Sequence, residues 1–200
     1  MKLKDMKKAV KLLANEWDLG SKESATDKNL CAWIYLMQIL EETEKFVYYR
    51  KNGKLIGFAG YSKNNSRKHL LKKKTYTFIK NKLYKSKKIK DLNALKKYES
   101  NYSYLPESLN NYFDGEISML IIDRNYRGKG IGRKLLTEIF HLAKKDNMKN
   151  LQILTDESCN YKIYEKLGCT KVYETIVENK EYGKSGNILT EKAFIYEKKL

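Results

Sequence analysis

Arg127-Gly128-Lys129-Gly130-Ile131-Gly132 joins two apolar segments of different period in this 200-residue chain. Residues 117–122, before it, are almost all apolar, and the run is short enough for a β-strand buried on both faces. After it, apolar residues recur at the spacing of a helix: Ile131, Leu135, Ile139 and Leu142. The pattern predicts a strand, a glycine-rich turn and a helix N-terminus, whose uncovered backbone N–H groups can bind phosphate oxygens.

The spacing of the glycines narrows the type of phosphate site. A dinucleotide turn needs G-x-G-x-x-G after the first strand and an acidic residue about 20 residues later. Here the glycines occupy alternate positions past mid-chain, and no strand-end acid follows at that distance. A mononucleotide loop ends in Gly-Lys-Ser/Thr, whereas Gly132 is followed by Arg133-Lys134. The sequence therefore predicts a pyrophosphate site of another type, and a purely structural turn is the alternative.

The order Arg127-x-x-Gly130-x-Gly132 after a strand resembles the coenzyme A loop of the GCN5-related N-acetyltransferase (GNAT) superfamily. The strand from Glu116 to Asp123 resembles the family's central strand, which ends in an acidic residue. The segment 164–168, Tyr-Glu-Lys-Leu-Gly, resembles a second family signature, with Gly168 ending its helix in a left-handed cap. The resemblance is close over residues 116–177 and looser over residues 1–62 and 190–200.

The resemblance implies one acyl-CoA N-acyltransferase domain over residues 1–200. Its α/β fold would have a mixed, mostly antiparallel central sheet with splayed central strands, flanked by helices. The implied reaction is direct transfer of the acetyl group of acetyl-CoA to a primary amine of a small molecule or peptide. The implied coenzyme contacts are the backbone of three strand residues beside the pantetheine arm and the turn around the diphosphate: Leu120, Ile121, Ile122, Arg127, Gly128, Lys129, Gly130, Ile131, Gly132 and Arg133.

Two residues are candidates for the proton chemistry that this reaction requires. The attacking amine must be neutral, although alkylamines have a pKa of about 10. Glu116 lies 11 residues before Arg127, which is the spacing of the catalytic glutamate in the histone-acetylating branch; a solvated strand start is the alternative. Tyr164 matches the position of a family tyrosine that contacts the coenzyme and protonates its leaving thiolate; simple packing is the alternative. Asn160 would bind the pantetheine or cap a helix.

Cysteine and histidine usage argues against a structural metal or a disulfide framework. The three cysteines have no C-x-x-C spacing, and His69 and His141 are far apart in sequence. No apolar run approaches the ~20 residues that a bilayer-spanning helix needs, and the N-terminus lacks a signal-peptide core. We therefore expect a cytoplasmic protein without a metal or a membrane partner, as a monomer or homodimer.

Positive charge is concentrated in one segment of this chain, whose formal net charge is +17. Residues 64–100 contain 13 Lys or Arg and only two acidic residues. Interleaved aromatic residues could stack on nucleic-acid bases: Tyr76, Phe78, Tyr84 and Tyr98. The alternatives are a nucleic-acid surface and a merely solvated lysine face.

The resemblance makes residues 64–114 a Lys-rich, helical insertion, because the family has only a short connection there. The insertion would border the acceptor side as a lid or wall, repel polyamines and favour acceptors that carry a carboxylate or phosphate. The alternative function is a basic module that binds nucleic acid or an acidic protein on a retained GNAT fold.

Periodicity and turn signals predict the remaining elements. Asn52-Gly53 predicts a tight hairpin turn because both positions of such a turn need positive φ. Within residues 64–100, the apolar face would consist of Leu70-Leu71, Phe78 and Leu83. The predicted elements are a short strand at 1–4, a helix at 5–17 capped by Asp5, a helix at 28–44 capped by Asp27, strands at 46–51 and 55–61, one or two helices within 64–100, a loop at 102–114, and strands at 151–155, 171–177 and 192–198.

Overall fold

The computed structural model describes residues 1–17, 19, 24–64, 70–90, 92, 95–96, 106–109, 111–179 and 189–200. Its helices are α1 (Leu3–Glu16), α2 (Ala25–Glu42), α3 (Leu70–Tyr84), α4 (Ile131–Lys145) and α5 (Lys162–Glu165). Its strands are β1 (Lys45–Lys51), β2 (Lys54–Lys63), β3 (Gly115–Ile122), β4 (Asn150–Asp156), β5 (Thr170–Asn179) and β6 (Leu189–Lys199). None of the helices in these ranges is long and apolar enough to cross a bilayer.

One six-stranded sheet runs in the order β1-β2-β3-β4-β6-β5. The neighbours pair antiparallel, except that β3 and β4 run parallel. This confirms the predicted mixed, mostly antiparallel sheet. The parallel pair shares a single registered position, Glu116 opposite Gln152, and the two strands separate beyond it. The splay of the central strands is therefore present.

The sheet lies between two helical layers, each with its own buried cluster. On one side, α1 and α2 pack against Phe58, Met119 and Ile121 of the central strands. On the other side, α4 packs against strand residues that include Ala59 and Leu151. The alternation of side chains along β2 sends Phe58 and Ala59 to opposite faces, as a strand buried on both sides requires.

The predicted hairpin is present and connects β1 to β2. Asn52 and Gly53 have φ of 49° and 71°, the left-handed pair that a two-residue turn of this kind needs. This part of the sequence predicts its own structure because the turn conformation depends only on the two residues that form it.

The prediction for the N-terminus is wrong in two respects. Residues 1–4 do not form a strand, because α1 already begins at Leu3. Asp5 does not cap that helix. Its carboxylate accepts two hydrogen bonds of 2.8 Å from the Arg50 guanidinium on β1, which lowers the pKa of Asp5. The local pattern predicted Asp5 as a helix cap, but its side chain instead binds Arg50, which is distant in sequence.

The predicted cap of the second helix is also wrong. Ser24 is the N-cap, and its Oγ accepts a hydrogen bond of 3.2 Å from the Asp27 backbone N–H. Asp27 lies inside the first turn and is buried, where its carboxylate accepts a hydrogen bond of 3.1 Å from the Lys90 N–H. The true cap was readable as Ser24, with an acidic residue three positions later.

Helix α3 confirms helical structure in the basic insertion and packs against α2. Thr77 Oγ1 and Lys80 Nζ donate hydrogen bonds of 2.9 Å and 2.7 Å to the Glu41 carboxylate. The predicted single apolar face is wrong, because Leu83 packs inward while Leu71 and Phe78 are exposed. Several parts of the predicted insertion lie outside the described residues, including Tyr98 and the start of the predicted loop; that loop otherwise contains one short 3-10 turn, Glu107–Leu109.

Candidate active site

A cavity of about 500 Å³ opens where β3 ends and separates from β4. Its walls come from the end of α1, the last residues of β3, the glycine-rich turn, the start of α4 and the segment that leads into α5. The cavity is lined by all but one of the residues predicted to contact a coenzyme: Leu120, Ile121, Ile122, Arg127, Gly128, Gly130, Ile131, Gly132, Arg133, Asn160 and Tyr164.

The glycine-rich turn exposes its backbone to this cavity. Asp123 ends the strand, and its carboxylate accepts a hydrogen bond of 3.2 Å from the Asn125 N–H, which starts a short 3-10 turn. Gly128 and Gly130 both have φ of +74°, and a Cβ on either would meet no atom within 4 Å. Gly130 is the N-cap of the 15-residue helix α4. The first N–H groups of α4 therefore lie at the positive end of a long helix with open space before them.

Gly132 is required for a different reason. A Cβ at this position would lie 3.1 Å from Ile163 Cδ1 and 3.2 Å from Ile122 Cδ1. The missing side chain lets the first turn of α4 pack closely between β3 and the α5 segment. Gly132 thus positions the helix N-terminus, whereas Gly128 and Gly130 shape the turn before it.

The basic side chains of the turn are placed differently from one another. Arg127 is tied to the protein, since its Nε donates to the Ile122 carbonyl at 3.2 Å and its Nη2 to the Glu16 carboxylate. Arg133 lines the cavity, with a hydrogen bond of 3.4 Å from Nη2 to the Lys166 carbonyl. Lys129 is the predicted contact that does not line the cavity; its Nζ lies 5.2 Å from the centre of the Tyr126 ring.

Tyr164 forms the inner wall of the cavity on α5. Its side chain is 8% exposed, and its ring lies tilted against Tyr196 with the centres 5.7 Å apart. Burial raises the pKa of Tyr164, so the phenol stays protonated at neutral pH. Asn160 lies nearby but does not cap the helix, because the N-cap position is Tyr161.

Glu116 does not line this cavity. It stands at the start of β3, four residues and therefore ~13 Å along the strand from Leu120. Burial, with a smaller contribution from the charge of Glu42, raises the pKa of Glu116 to about 7. Its carboxyl group therefore changes charge near neutral pH, as a general base requires.

Two parts of the cavity wall were not predicted from the sequence. Glu16 and Trp17 line it from the end of α1, and the largely buried Glu16 carboxylate pairs with Arg124 and Arg127. Both ion pairs join residues more than 100 positions apart in sequence, so no local sequence pattern predicts them.

The second unpredicted part is the loop that carries Ser158 and Cys159. Asp156 fixes this loop, because its Oδ1 accepts hydrogen bonds from the Ser158 N–H at 3.0 Å and the Cys159 N–H at 3.2 Å. An aspartate at the end of a strand, two residues before Ser158-Cys159-Asn160, is the local signal that could have found this loop, because an Asp side chain can accept hydrogen bonds from the backbone of a following turn.

No group of three or more His, Cys, Asp or Glu side chains is placed to hold a metal ion within the part of the chain that the structure describes.

Comparisons with known proteins agree with this geometry. The sequence model of the acetyltransferase (GNAT) family matches residues 96–169, which include the glycine-rich turn and the α5 segment. No curated protein matches the chain in sequence.

Solved structures are similar to this chain at low sequence identity. A ribosomal-protein-alanine N-acetyltransferase from Brucella melitensis is 14% identical, with all of this chain and 97% of that chain covered, at a TM-score of 0.55. The yncA protein of Salmonella typhimurium, solved with its cofactor acetyl-CoA, is 14% identical. The match covers 100% of this chain and 91% of that chain at a TM-score of 0.54. A proposed streptothricin acetyltransferase from Bacillus anthracis is 17% identical. The match covers 78% of this chain and 61% of that chain at a TM-score of 0.45.

The family match covers the end of β3, the glycine-rich turn and the α5 segment of the cavity wall but not Glu16 and Trp17, and the described chain has the fold of the first two of those structures. Residues 96–169 of this chain therefore resemble the acetyltransferase (GNAT) family in sequence, and the fold of the described residues agrees with that resemblance.

Proposed function

We propose that this protein transfers the acetyl group of acetyl-CoA to a primary amine of a small molecule or peptide. One observation carries the proposal: the open backbone of the glycine-rich turn, at the N-terminus of α4, adjoins a gap between β3 and β4 that ends at Tyr164. An anionic diphosphate fits the turn, and an extended chain of amide groups fits the gap.

The gap supports binding of the pantetheine arm. Beyond Glu116, β3 is hydrogen-bonded to β2 on one side and has no registered partner on the β4 side. The backbone of Leu120–Ile122 can therefore pair with the amides of an extended ligand, as an added strand pairs with a sheet edge. Arg133 and the N–H groups of α4 would hold the diphosphate oxygens.

The proposed chemistry is a direct transfer between two bound substrates. The neutral amine attacks the thioester carbonyl, so that a C–N bond forms and the C–S bond breaks. Glu116 takes, through intervening water, the proton that the amine loses, and the Tyr164 phenol protonates the leaving thiolate. Solvent then restores the proton to Tyr164, and Glu116 releases its proton to solvent.

The chemical class of the acceptor stays a prediction. The lining of the cavity includes no described residue of the basic insertion. The preference for acceptors with a carboxylate or phosphate therefore rests on overall charge alone.

Release of free thiol from acetyl-CoA in the presence of single amines tests the proposed function. We expect thiol release that requires the amine and yields one acetylated amine for each thiol. Binding of CoA without thiol release across a broad panel of amines and peptides would contradict it. Retention of nucleic acid that falls steeply with salt would then favour the basic binding module.

Replacing Glu116 by Gln should remove the pH dependence that this base gives to turnover. Because the pKa of Glu116 is raised to about 7, wild-type turnover should increase as the pH rises through that value, when the carboxylate forms. In Glu116→Gln turnover should fall about tenfold or more and lose this pH limb.

Thermal unfolding gives a second readout of the same group. An acid whose folded pKa is raised stabilises the fold below its unfolded pKa of 4.5, and that stabilisation is lost as the pH rises through about 7. The stability of Glu116→Gln relative to wild type should therefore improve by up to about 3 kcal/mol between acidic and alkaline pH. If stability follows this course and turnover does not change, Glu116 is buried but is not the base.

A further inference from the structure

The outer face of α3 combines exposed apolar side chains with lysines. Leu71 is 81% exposed and Phe78 is 69% exposed. They are seven residues apart, which is two helical turns or ~10 Å, so both lie on the same side of the helix. The opposite side is held against α2 by Thr77 and Lys80, which bind Glu41. The two exposed side chains therefore face away from the protein.

The charge around this face has one sign. Residues 70–90 contain nine lysines and no acidic residue. Lys74 and Lys82 are exposed on α3, three residues from Leu71 and four residues from Phe78, respectively, and Lys85 is exposed just after the helix. A partner that fits must be anionic and must also accept two large apolar side chains.

We infer that the outer face of α3 docks on the surface of an anionic lipid bilayer. On such a surface the lysines can meet anionic headgroups while the neighbouring Leu and Phe side chains enter the acyl boundary. The helix would lie on the membrane and not span it. The expectation of no membrane partner rested on the lack of a spanning segment, which this docking does not need.

The same residues fit other partners less well. Protein interfaces are depleted in lysine, which is the commonest residue type in this segment. Single-stranded nucleic acid binds on several exposed aromatic rings. Among the described aromatic residues of the segment only Phe78 is exposed, since Tyr76 and Tyr84 pack against the α1–α2 cluster. Leu71 would contribute nothing to phosphates or bases.

Co-sedimentation of the full chain with lipid vesicles tests this inference independently of the acetyltransferase reaction. We expect binding to vesicles of phosphatidylcholine and phosphatidylglycerol, no binding to phosphatidylcholine alone, and weakening by salt. Leu71→Ser/Phe78→Ser should lower the partition coefficient by about tenfold or more. Ile176→Ser is the matched control, because Ile176 is 65% exposed on β5, and it should bind as wild type.

Three results would overturn the inference: no binding to the anionic vesicles, equal binding by wild type and Leu71→Ser/Phe78→Ser, or equal loss in Ile176→Ser. Circular dichroism of each variant shows whether it is folded. If the double variant does not fold, Lys74→Glu/Lys82→Glu replaces it, and unchanged vesicle binding by that variant contradicts the inference. Single-stranded RNA that binds more tightly than the vesicles and displaces them also contradicts it, in favour of a nucleic-acid surface.

Discussion

Tyr164→Phe should lower the turnover number for acetyl transfer by about 100-fold while leaving the affinity for acetyl-CoA nearly unchanged. The substitution removes one hydroxyl from the inner wall of the cavity and keeps the ring that packs against Tyr196. If the phenol protonates the leaving thiolate, its loss raises the barrier to C–S cleavage but not the free energy of coenzyme binding. Burial raises the pKa of Tyr164, so the proton is present throughout the neutral range and the loss should not depend on pH there.

The measurement pairs steady-state thiol release with calorimetric binding of CoA. Tyr161→Phe is the control, because it makes the same chemical change three residues earlier, on a side chain that does not line the cavity and packs with Phe194 at 4.8 Å. It should leave turnover near wild type. Equal turnover in Tyr164→Phe and wild type would exclude the phenol as proton donor, and an equal loss in both variants would point to damaged packing.

Local signals explain which parts of the fold were predictable. Strand β3, the glycine-rich turn and α4 follow from apolar period and from glycines at positions of positive φ. The Asn52-Gly53 hairpin follows from the conformation of two residues. In each case the deciding interaction lies within a few residues, so the sequence pattern and the structure agree.

Contacts between distant residues explain the failures. Asp5 was expected to cap α1, and Arg50 binds it from β1. Glu16 carried no local signal because two helices and three strands separate it along the chain from its partners, Arg124 and Arg127. The sequence predicts Leu71 on the buried apolar face of α3, but its side chain is exposed to solvent. Apolar identity alone does not tell which side of a helix meets a neighbour.

The part of the candidate site formed by the glycine-rich turn and α5 could be predicted from the sequence. The position of the candidate base, Glu116, relative to the cavity could not. Residues of the turn and of α5 were predicted together and line one cavity. Glu116 stands outside that cavity, and its raised pKa results from burial beside Glu42 near the end of α2. The sequence places Glu116 at the start of β3, but its raised pKa depends partly on the charge of Glu42, on a helix distant in sequence.

Gly130→Val should weaken CoA binding by about 10- to 100-fold, which corresponds to the loss of a hydrogen bond from the turn to a charged phosphate oxygen. Gly130 has φ of +74°, a conformation that β-branched residues avoid, and its missing Cβ faces open space at the N-terminus of α4. Valine there would shift the N–H groups of the turn and place methyl groups where the diphosphate would lie. The strain should also lower the free energy of unfolding by about 1–3 kcal/mol.

Gly53→Val separates these two effects. Gly53 has φ of +71°, a Cβ there would also meet no atom within 4 Å, and it lies in the β1–β2 hairpin outside the cavity. Both variants should lose similar stability in denaturant unfolding, because the backbone strain is the same. Only Gly130→Val should lose affinity for CoA in calorimetry, and the milder pair Gly130→Ala and Gly53→Ala serves if valine prevents folding. Backbone strain is the same at both positions, so a loss of CoA affinity seen only in the Gly130 variants would come from the turn itself. Unaltered CoA affinity in the Gly130 variants would mean that the turn does not hold the diphosphate.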